Sequence, residues 1–466
     1  MDTHPDATGS SGPLPGTPTA PRTQLSLLHT VAGTLANLAP GMTLFLGLPS
    51  IVAATGAQAP WAYALAALAM LAVGNTMREF ARVLPGAGSF VTFISQGVGA
   101  GSPRAGTLLG TMAFYLLLLS FPITQAAGVV FMGWWGAGLL GWNGHLAWAV
   151  PALALLAPAT VLLLRGVTVG MRVSLALFLL DAIALVLLLV GVTMHAASTI
   201  TLPLRHVRDG TAGLAGLPGL PFALAMFSYI GWENAGSLAD EMVDPRRTIP
   251  RTILFSVGMV CLLYMAGAWA TVAGFAAWHG TGSLAHINVT DAGAPLLALA
   301  RHDLAGGAWL VALIGVTSPL GCFLAEVASQ ARIIAHGAQL RLLPPALARV
   351  SPRTQAPSAA ILLYVGLTVA LCLGPALWPG STPGSIAALE AGIGTVPILL
   401  VYLAATLALP IYMLRARRDL FDPLRHLIIP GAAAGVLLYG IAMFVRPDQP
   451  APGNGFWLPI VALLAL

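Results

Sequence analysis

The sequence predicts an all-α integral membrane protein with about twelve transmembrane helices. Hydrophobic residues make up 57% of the 466 residues and charged residues only 8%, with a mean hydropathy of +0.85. An ordinary soluble domain carries about 25% charged residues. Because a transmembrane helix needs about 20 apolar residues, the length divides into membrane spans rather than soluble domains.

Apolar stretches place the spans in order along the chain. Residues 1–24 are rich in Pro, Gly, Ser and Thr, and we expect them to form a disordered cytoplasmic tail. The last apolar stretch begins at Phe456 and, at about 1.5 Å per residue, covers only about half of the hydrocarbon core. We therefore expect the twelfth helix to be cut short or to lie partly in the interface. The preceding spans are predicted at 29–54, 60–83, 105–135, 146–164, 168–194, 217–240, 251–277, 307–335, 357–377, 387–413 and 425–445.

The distribution of arginines predicts the orientation of the chain in the membrane. The chain has 21 basic residues, all of them arginine. With the N-terminus in the cytoplasm, all but four of them fall on the inner side, the exceptions being Arg205, Arg208, Arg301 and Arg446. This bias follows the positive-inside rule. It predicts a multi-pass protein of a bacterial-type inner membrane, and the basic charge reflects topology rather than nucleic-acid binding.

The first span is interrupted near its middle by Asn37, Pro40, Gly41 and Thr43. Backbone groups freed by such a break cannot be satisfied by lipid, so broken spans persist where they line a cavity. The helix that resumes after Pro40 would direct N–H groups and a positive dipole end at a substrate carboxylate. The alternative is that Pro40 merely kinks the helix. The candidate binding residues here are Leu38, Ala39, Pro40, Gly41, Met42 and Thr43.

The sixth span has a matching interruption around Gly231. Paired breaks in two halves of a chain indicate the substrate site of a transporter. Carbonyl groups freed at both breaks could accept hydrogen bonds from an ammonium group, so the pair would hold an α-amino acid by its backbone atoms. The alternative is that Gly231 only permits close helix packing. The candidate residues at this break are Phe227, Ser228, Tyr229, Ile230 and Gly231.

Among the acidic residues within predicted spans, three are candidates for function: Asp181, Glu233 and Glu326. A charge at the bilayer centre costs at least about 2.5 kcal/mol, so each acid is a functional candidate. We expect them to take part in coupling, for example by carrying a proton. The alternatives are that Glu233 is a hydrogen-bonded structural acid and that Glu326 pairs with a neighbouring helix. Three acids without a buried base favour cationic or neutral substrates over acidic ones.

Three motifs occur in a characteristic order along the chain. Residues 60–99 contain an acidic residue, then Pro, Gly and an aromatic residue. Residues 227–233 read FSYIGWE and are followed at 240–250 by DEMVDPRRTIP. Residues 343–350 read LPPALARV, with APS after them. Together these motifs resemble the amino acid–polyamine–organocation superfamily over nearly the whole chain.

The resemblance implies a LeuT-like fold, in which helices 1–5 and 6–10 form inverted repeats and helices 1 and 6 are discontinuous. It implies repeats at 25–200 and 201–420, with helices 11 and 12 at 421–466. It also implies that Phe227 caps the substrate and that Glu233 corresponds to the glutamate of the family. Trp232, which also lies beside the second break, is a second gate candidate. The alternative for Phe227 is ordinary packing on a helix face. Some relatives carry a lysine in helix 5 in place of a coupling sodium ion. Since this chain has no lysine, Asp181 could instead hold a proton, a cation or a basic substrate.

The sequence favours a transporter over an enzyme. Its histidines and cysteines lack the spacing of a metal site, and we expect no cofactor. A chain without lysine also lacks the phosphate-binding loop of an ATPase. We therefore predict a permease for amino acids or related amines that works by proton-coupled symport or by exchange. The alternatives are a sodium-coupled symporter and a non-transporting sensor with the same fold.

Overall fold

The computed structural model describes residues 26–84, 89–204, 219–237, 239, 242–280, 284, 294–304, 306–354 and 356–446. Within these residues the fold is helical, as predicted. Its α-helices are α1 (Leu27–Leu38), α2 (Pro40–Thr55), α3 (Ala59–Val83), α4 (Ser89–Gly99), α5 (Pro103–Leu139), α6 (Ala149–Arg165), α7 (Val167–His195), α8 (Leu220–Phe227), α9 (Asn234–Ser237), α10 (Pro245–His279), α11 (Ala294–Asp303), α12 (Ala308–Gln339), α13 (Ser358–Ala376), α14 (Pro383–Ala416) and α15 (Ile429–Val445).

Membrane-spanning helices dominate the described part of the chain. Each predicted span from 60–83 to 425–445 coincides with a helix, except that 217–240 coincides with the interrupted pair α8 and α9, and the first span, 29–54, coincides with the interrupted pair α1 and α2. The tail at 1–24 and the stretch from Phe456 lie outside the described residues. Eight helical stretches are long and apolar enough to cross a membrane: Leu27–Val83, Pro103–Leu139, Val167–His195, Pro245–His279, Ala308–Gln339, Ser358–Ala376, Pro383–Ala416 and Leu424–Val445.

Two helices lie outside the predicted spans. Helix α4 has 11 residues and α11 has 10, so neither is long enough to cross the hydrocarbon core. Helix α4 packs against α5, where Gly106 lies so close to Gly99 that a Cβ at Gly106 would be 2.6 Å from the Gly99 Cα. Small residues of this kind let membrane helices approach closely.

Both predicted discontinuities are present. Helix α1 ends and α2 begins at Ala39, a non-glycine residue in the left-handed conformation with φ 44° and ψ 64°. Between α8 and α9 the chain turns at residues 228–233, and Gly231 has φ 117°. A residue with a side chain rarely adopts that φ, which explains the glycine. The fold therefore brings two broken helices into the bundle, whereas the repeat boundaries stay a prediction.

Candidate functional site

A small cavity lies between the two broken helices. Its volume is about 60 Å³. Helices α1, α2 and α8 contribute to its wall, together with α5 and α12. The lining residues are Asn37, Leu38, Met42, Thr43, Leu46, Phe121, Thr124, Gln125, Ala127, Gly128, Phe227, Ile230, Gly231, Cys322 and Glu326.

The predicted site residues divide into two groups. Those that line the cavity are Leu38, Met42, Thr43, Phe227, Ile230, Gly231 and Glu326. Those that lie behind its wall are Ala39, Pro40, Gly41, Ser228, Tyr229, Trp232, Asp181 and Glu233. The role of every residue in both groups stays a prediction.

The start of α2 already has protein partners. The Met42 N–H donates to Ser318 Oγ at 3.0 Å, and the Thr43 hydroxyl donates to the Leu38 carbonyl at 3.1 Å. The Thr43 N–H donates to the Ala39 carbonyl at 3.0 Å. In this conformation, therefore, the N–H groups of Met42 and Thr43 are not free for a substrate carboxylate.

Asp181 lies at the same helix end. Its Oδ1 is 2.5 Å from the position that a Cβ on Gly41 would occupy. Asp181 belongs to α7 and is 1% exposed. The first N–H groups of a helix and its dipole make the N-terminus a favourable place for a negative charge. A carboxylate at Asp181 thus occupies the electrostatic position that the sequence predicted for a substrate carboxylate, and Gly41 leaves room for it.

Glu233 stabilises the turn between α8 and α9. The Gly231 N–H donates to Glu233 Oε2 at 2.9 Å, and the Tyr402 hydroxyl donates to the same oxygen at 2.6 Å. The side chain is 5% exposed. The carboxylate thus satisfies a backbone donor that the break has freed, and the choice between a structural and a coupling role for Glu233 stays a prediction.

Hydrogen bonds connect the two breaks. The Asn37 amide of α1 donates to the Gly231 carbonyl at 3.2 Å. The Tyr264 hydroxyl of α10 donates to the Ser228 carbonyl at 2.7 Å and lies 3.4 Å from the Leu38 carbonyl. One hydroxyl group therefore bridges carbonyls from both breaks.

Glu326 lies in the cavity wall beside α9. The Asn234 amide donates to Glu326 Oε2 at 3.2 Å, and the Ser329 hydroxyl donates to Asn234 Oδ1 at 3.1 Å. Glu326 Oε1 has no hydrogen-bond partner among the described residues. Of the three predicted acids, Glu326 is thus the one that faces the cavity. Within the described part of the chain, no cluster of three His, Cys, Asp or Glu residues could hold a metal ion.

The two predicted gate residues occupy different places. Phe227 is half-buried and lines the cavity. Trp232 is fully buried behind it, with ring centroids 6.0 Å from Phe90 and 5.6 Å from Tyr402. Phe227 is therefore in a position to contact a bound molecule, and Trp232 belongs to an aromatic layer behind the site.

Several contributing residues had not been identified as site residues from the sequence. Phe121, Thr124, Gln125 and Gly128 of α5 line the cavity, as does Cys322 of α12, whose thiol donates to the Asn37 carbonyl at 3.1 Å. The amide side chain of Gln125 lies within an apolar span, and this feature of the sequence could have identified Gln125 as a site residue. Two further buried acids were not among the candidates: Glu79 of α3 is 4% exposed, and Glu390 of α14 is 3% exposed, with no partner for its carboxylate within the described residues.

Comparison with known proteins gives consistent matches. A family model described as "Amino acid permease" matches residues 25–466. The chain is 24% identical over 332 residues to an uncharacterized amino acid permease, YtnA, of Bacillus subtilis, covering 70% of this chain and 68% of the relative. It is 23% identical over 354 residues to the branched-chain amino acid permease BcaP of the same organism, covering 72% and 71%. A shorter match, 29% identical over 136 residues, covers 29% of this chain and 21% of the cationic amino acid transporter 3, mitochondrial, of Arabidopsis thaliana.

Replacing Tyr264 with Phe tests the bridge between the breaks. The substitution removes the hydroxyl that donates to the Ser228 carbonyl. A buried group left without its partner costs about 1–3 kcal/mol, so we expect a lower unfolding temperature in detergent. Tyr439→Phe is the control, because Tyr439 is 37% exposed on α15 and its ring contact with Phe222 is one that a phenylalanine would keep. An equal unfolding temperature for Tyr264→Phe and the control would show that the bridge does not stabilise the breaks.

Proposed function

The chain belongs to the amino acid permease family, and we propose that it is a secondary active transporter that carries amino acids by alternating access. The observation that carries this proposal is the cavity enclosed by two broken helices. Broken helices at bilayer depth expose N–H and C=O groups that can hold the charged ends of a solute. Transport requires that this cavity open to one side of the membrane at a time.

The cavity wall supports a neutral amino acid as the substrate. The walls are mostly apolar, with Leu38, Met42 and Phe227 among them, and no arginine of the described residues lines them. Glu326 is the one acidic residue of the wall within the described part of the chain, and its Oε1 can accept a hydrogen bond from the α-ammonium group. A volume of about 60 Å³ is small beside the roughly 300–1,000 Å³ of drug-sized pockets. It suits a small side chain, and the BcaP relative is described as a branched-chain permease.

The proposed orientation places the N-terminus in the cytoplasm of a bacterial-type cell, with the protein in the plasma membrane. The arginine bias in the sequence supports it. Helix α1 then runs from the cytoplasm to the break at Ala39, and α2 continues outward from the middle of the membrane.

Asp181 supplies a physical route for proton coupling. An ionised Asp181 and a substrate carboxylate would both be attracted to the positive end of α2. The two negative charges would also repel each other strongly, because Asp181 is buried and water screens the repulsion little. Protonation of Asp181 removes this repulsion, so proton binding and substrate binding favour each other. By linkage, each ligand raises the affinity for the other by the same factor. In this mechanism one proton accompanies one amino acid.

Uptake by proteoliposomes tests the proposed function. We expect radiolabelled leucine or alanine to accumulate when the outside is made acidic, and to enter much more slowly without a gradient. Arginine and glutamate serve as cationic and acidic comparisons. Accumulation that needs a sodium gradient would replace the proton mechanism with a sodium-coupled one. Binding without uptake of any of these amino acids would indicate a sensor.

Phe227 tests whether an aromatic side chain closes the cavity. If Phe227 covers the bound amino acid, Phe227→Ala should weaken the apparent affinity and slow uptake, because the large apolar contact is lost. Phe227→Trp should retain activity, since it keeps a flat aromatic surface. The measurement is KM and maximal uptake rate for the three proteins. Uptake by Phe227→Ala equal to that of the wild type would mean that Phe227 only packs in the wall.

Neutral substitutions of the two acids behind the cavity distinguish their roles. Asp181→Asn removes the charge at α2, so exchange of substrate across the membrane should continue while accumulation driven by a pH gradient is lost. Glu233→Gln keeps one oxygen for the Gly231 N–H, and we expect gradient-driven accumulation to persist at reduced rate. Both activities are measured in the same proteoliposomes. The reverse pattern would assign coupling to Glu233, and normal accumulation by both variants would exclude both acids.

A further inference from the structure

A second and larger cavity lies between α3 and α10. Its volume is about 680 Å³. It is separate from the cavity between the broken helices, with which it shares no lining residue. The lining residues are Leu71, Gly74, Asn75, Arg78, Arg82, Arg246, Arg247, Pro250, Arg251, Ile253 and Leu254.

The arginines lie toward one end of the helix pair. Helices α3 and α10 meet closely at Gly74, where a Cβ would be 2.8 Å from the Ile253 methyl group Cγ2. Arg78 and Arg82 follow Gly74 toward the end of α3 at Val83. Arg246, Arg247 and Arg251 precede Ile253 toward the start of α10. Under the proposed orientation this is the cytoplasmic end.

The charges around this cavity are poorly balanced. Arg78 and Arg82 are four residues apart on α3, and Arg247 and Arg251 are four residues apart on α10, spacings at which like charges repel. Glu79 lies 3.2 Å from Arg82 and 3.5 Å from Arg78. Asp244 lies 3.6 Å from Arg247. Five guanidinium groups thus face two carboxylates among the described residues, which leaves three positive charges in excess.

Two of the arginines are available to a ligand. Arg246 and Arg251 are exposed, and neither has a hydrogen bond or an ion pair within the described part of the chain. Both lie in the first two turns of α10, where the helix dipole adds further positive potential. The positive-inside rule accounts for arginines on this side of the membrane. It does not account for the presence of five of them around one cavity.

The other wall of the cavity is apolar and faces outward. Leu254 is 58% exposed, and the adjacent Phe255 is 54% exposed. In a membrane-spanning helix such residues face lipid. The cavity therefore joins a cationic pocket to a hydrocarbon-facing surface, a combination that suits an amphipathic anion better than a soluble one.

We propose that this cavity binds the phosphate headgroup of an anionic phospholipid. The guanidinium groups of Arg246 and Arg251 contact the phosphate oxygens, a pairing that arginine makes with good geometry. One acyl chain lies along Leu254 and Leu71. Basic pockets between membrane helices on the cytoplasmic side are the kind of site that recognises such headgroups. The lipid would hold α3 and α10 together at the end where their own charges repel.

Lipid binding to the purified protein tests this proposal. The probes are dioleoylphosphatidylglycerol, dioleoylphosphatidylcholine and soluble glycerol phosphate, each added to the protein in detergent. We expect phosphatidylglycerol to raise the unfolding temperature and to stay bound in native mass spectrometry, whereas the other two have little effect. Because the readout is lipid binding rather than uptake, the result is independent of the proposed transport function.

Charge removal locates the site. In the double variant Arg246→Gln/Arg251→Gln we expect roughly a thirtyfold weaker apparent affinity for phosphatidylglycerol, at about fivefold per basic residue. Arg104→Gln is the matched control, since Arg104 is an exposed arginine at the start of α5 that does not line the cavity. Each single variant is measured as well, in case the double variant is unstable. Unchanged affinity in the single and double variants, or an equal effect of Arg104→Gln, would overturn the proposal. An equal shift with glycerol phosphate would also overturn it.

Discussion

The site depends on how backbone groups are satisfied where two helices break inside the membrane. Hydrocarbon offers them no hydrogen bonds, so the protein must supply all of them. Here the breaks largely satisfy each other: Asn37 donates to the Gly231 carbonyl, and Tyr264 bridges toward the carbonyls of Ser228 and Leu38. Glu233 accepts from the Gly231 N–H. The same contacts that make the breaks tolerable therefore hold their polar groups around one cavity.

The positive end of α2 at the first break is the basis of the proposed proton coupling. A helix N-terminus at the centre of a membrane favours an anion, and in this conformation Asp181 lies there, with Ser318 accepting from the Met42 N–H. In the proposed mechanism, a transported amino acid brings a second carboxylate to the same region. The Asp181 carboxylate and the substrate carboxylate would then compete for the N-terminus of α2. Protonation of Asp181 would end this competition. In the proposed mechanism, proton coupling follows from the charge and the position of Asp181 at the start of α2.

The sequence predicted the parts of this arrangement that local residue types determine. Pro40 and Gly231 indicated the breaks, and the apolar runs indicated the spans. Tyr264 and Ser318 were not predicted, because their roles come from contacts between residues 36 and 276 positions apart rather than from a local pattern. The sequence also suggested free N–H groups at the start of α2, whereas those of Met42 and Thr43 have protein acceptors. Helix α4 was not predicted, because its 11 residues are too few for a membrane span.

Proton uptake on substrate binding tests the competition at α2 most directly. Purified protein in weakly buffered detergent solution is mixed with whichever amino acid it transports, and the change in pH is recorded from several starting pH values. The competition mechanism requires uptake of about one proton per bound substrate in the wild type and none in Asp181→Asn. Substrate binding without proton uptake by the wild type, or equal uptake by the variant, would contradict a shared anion position at the start of α2.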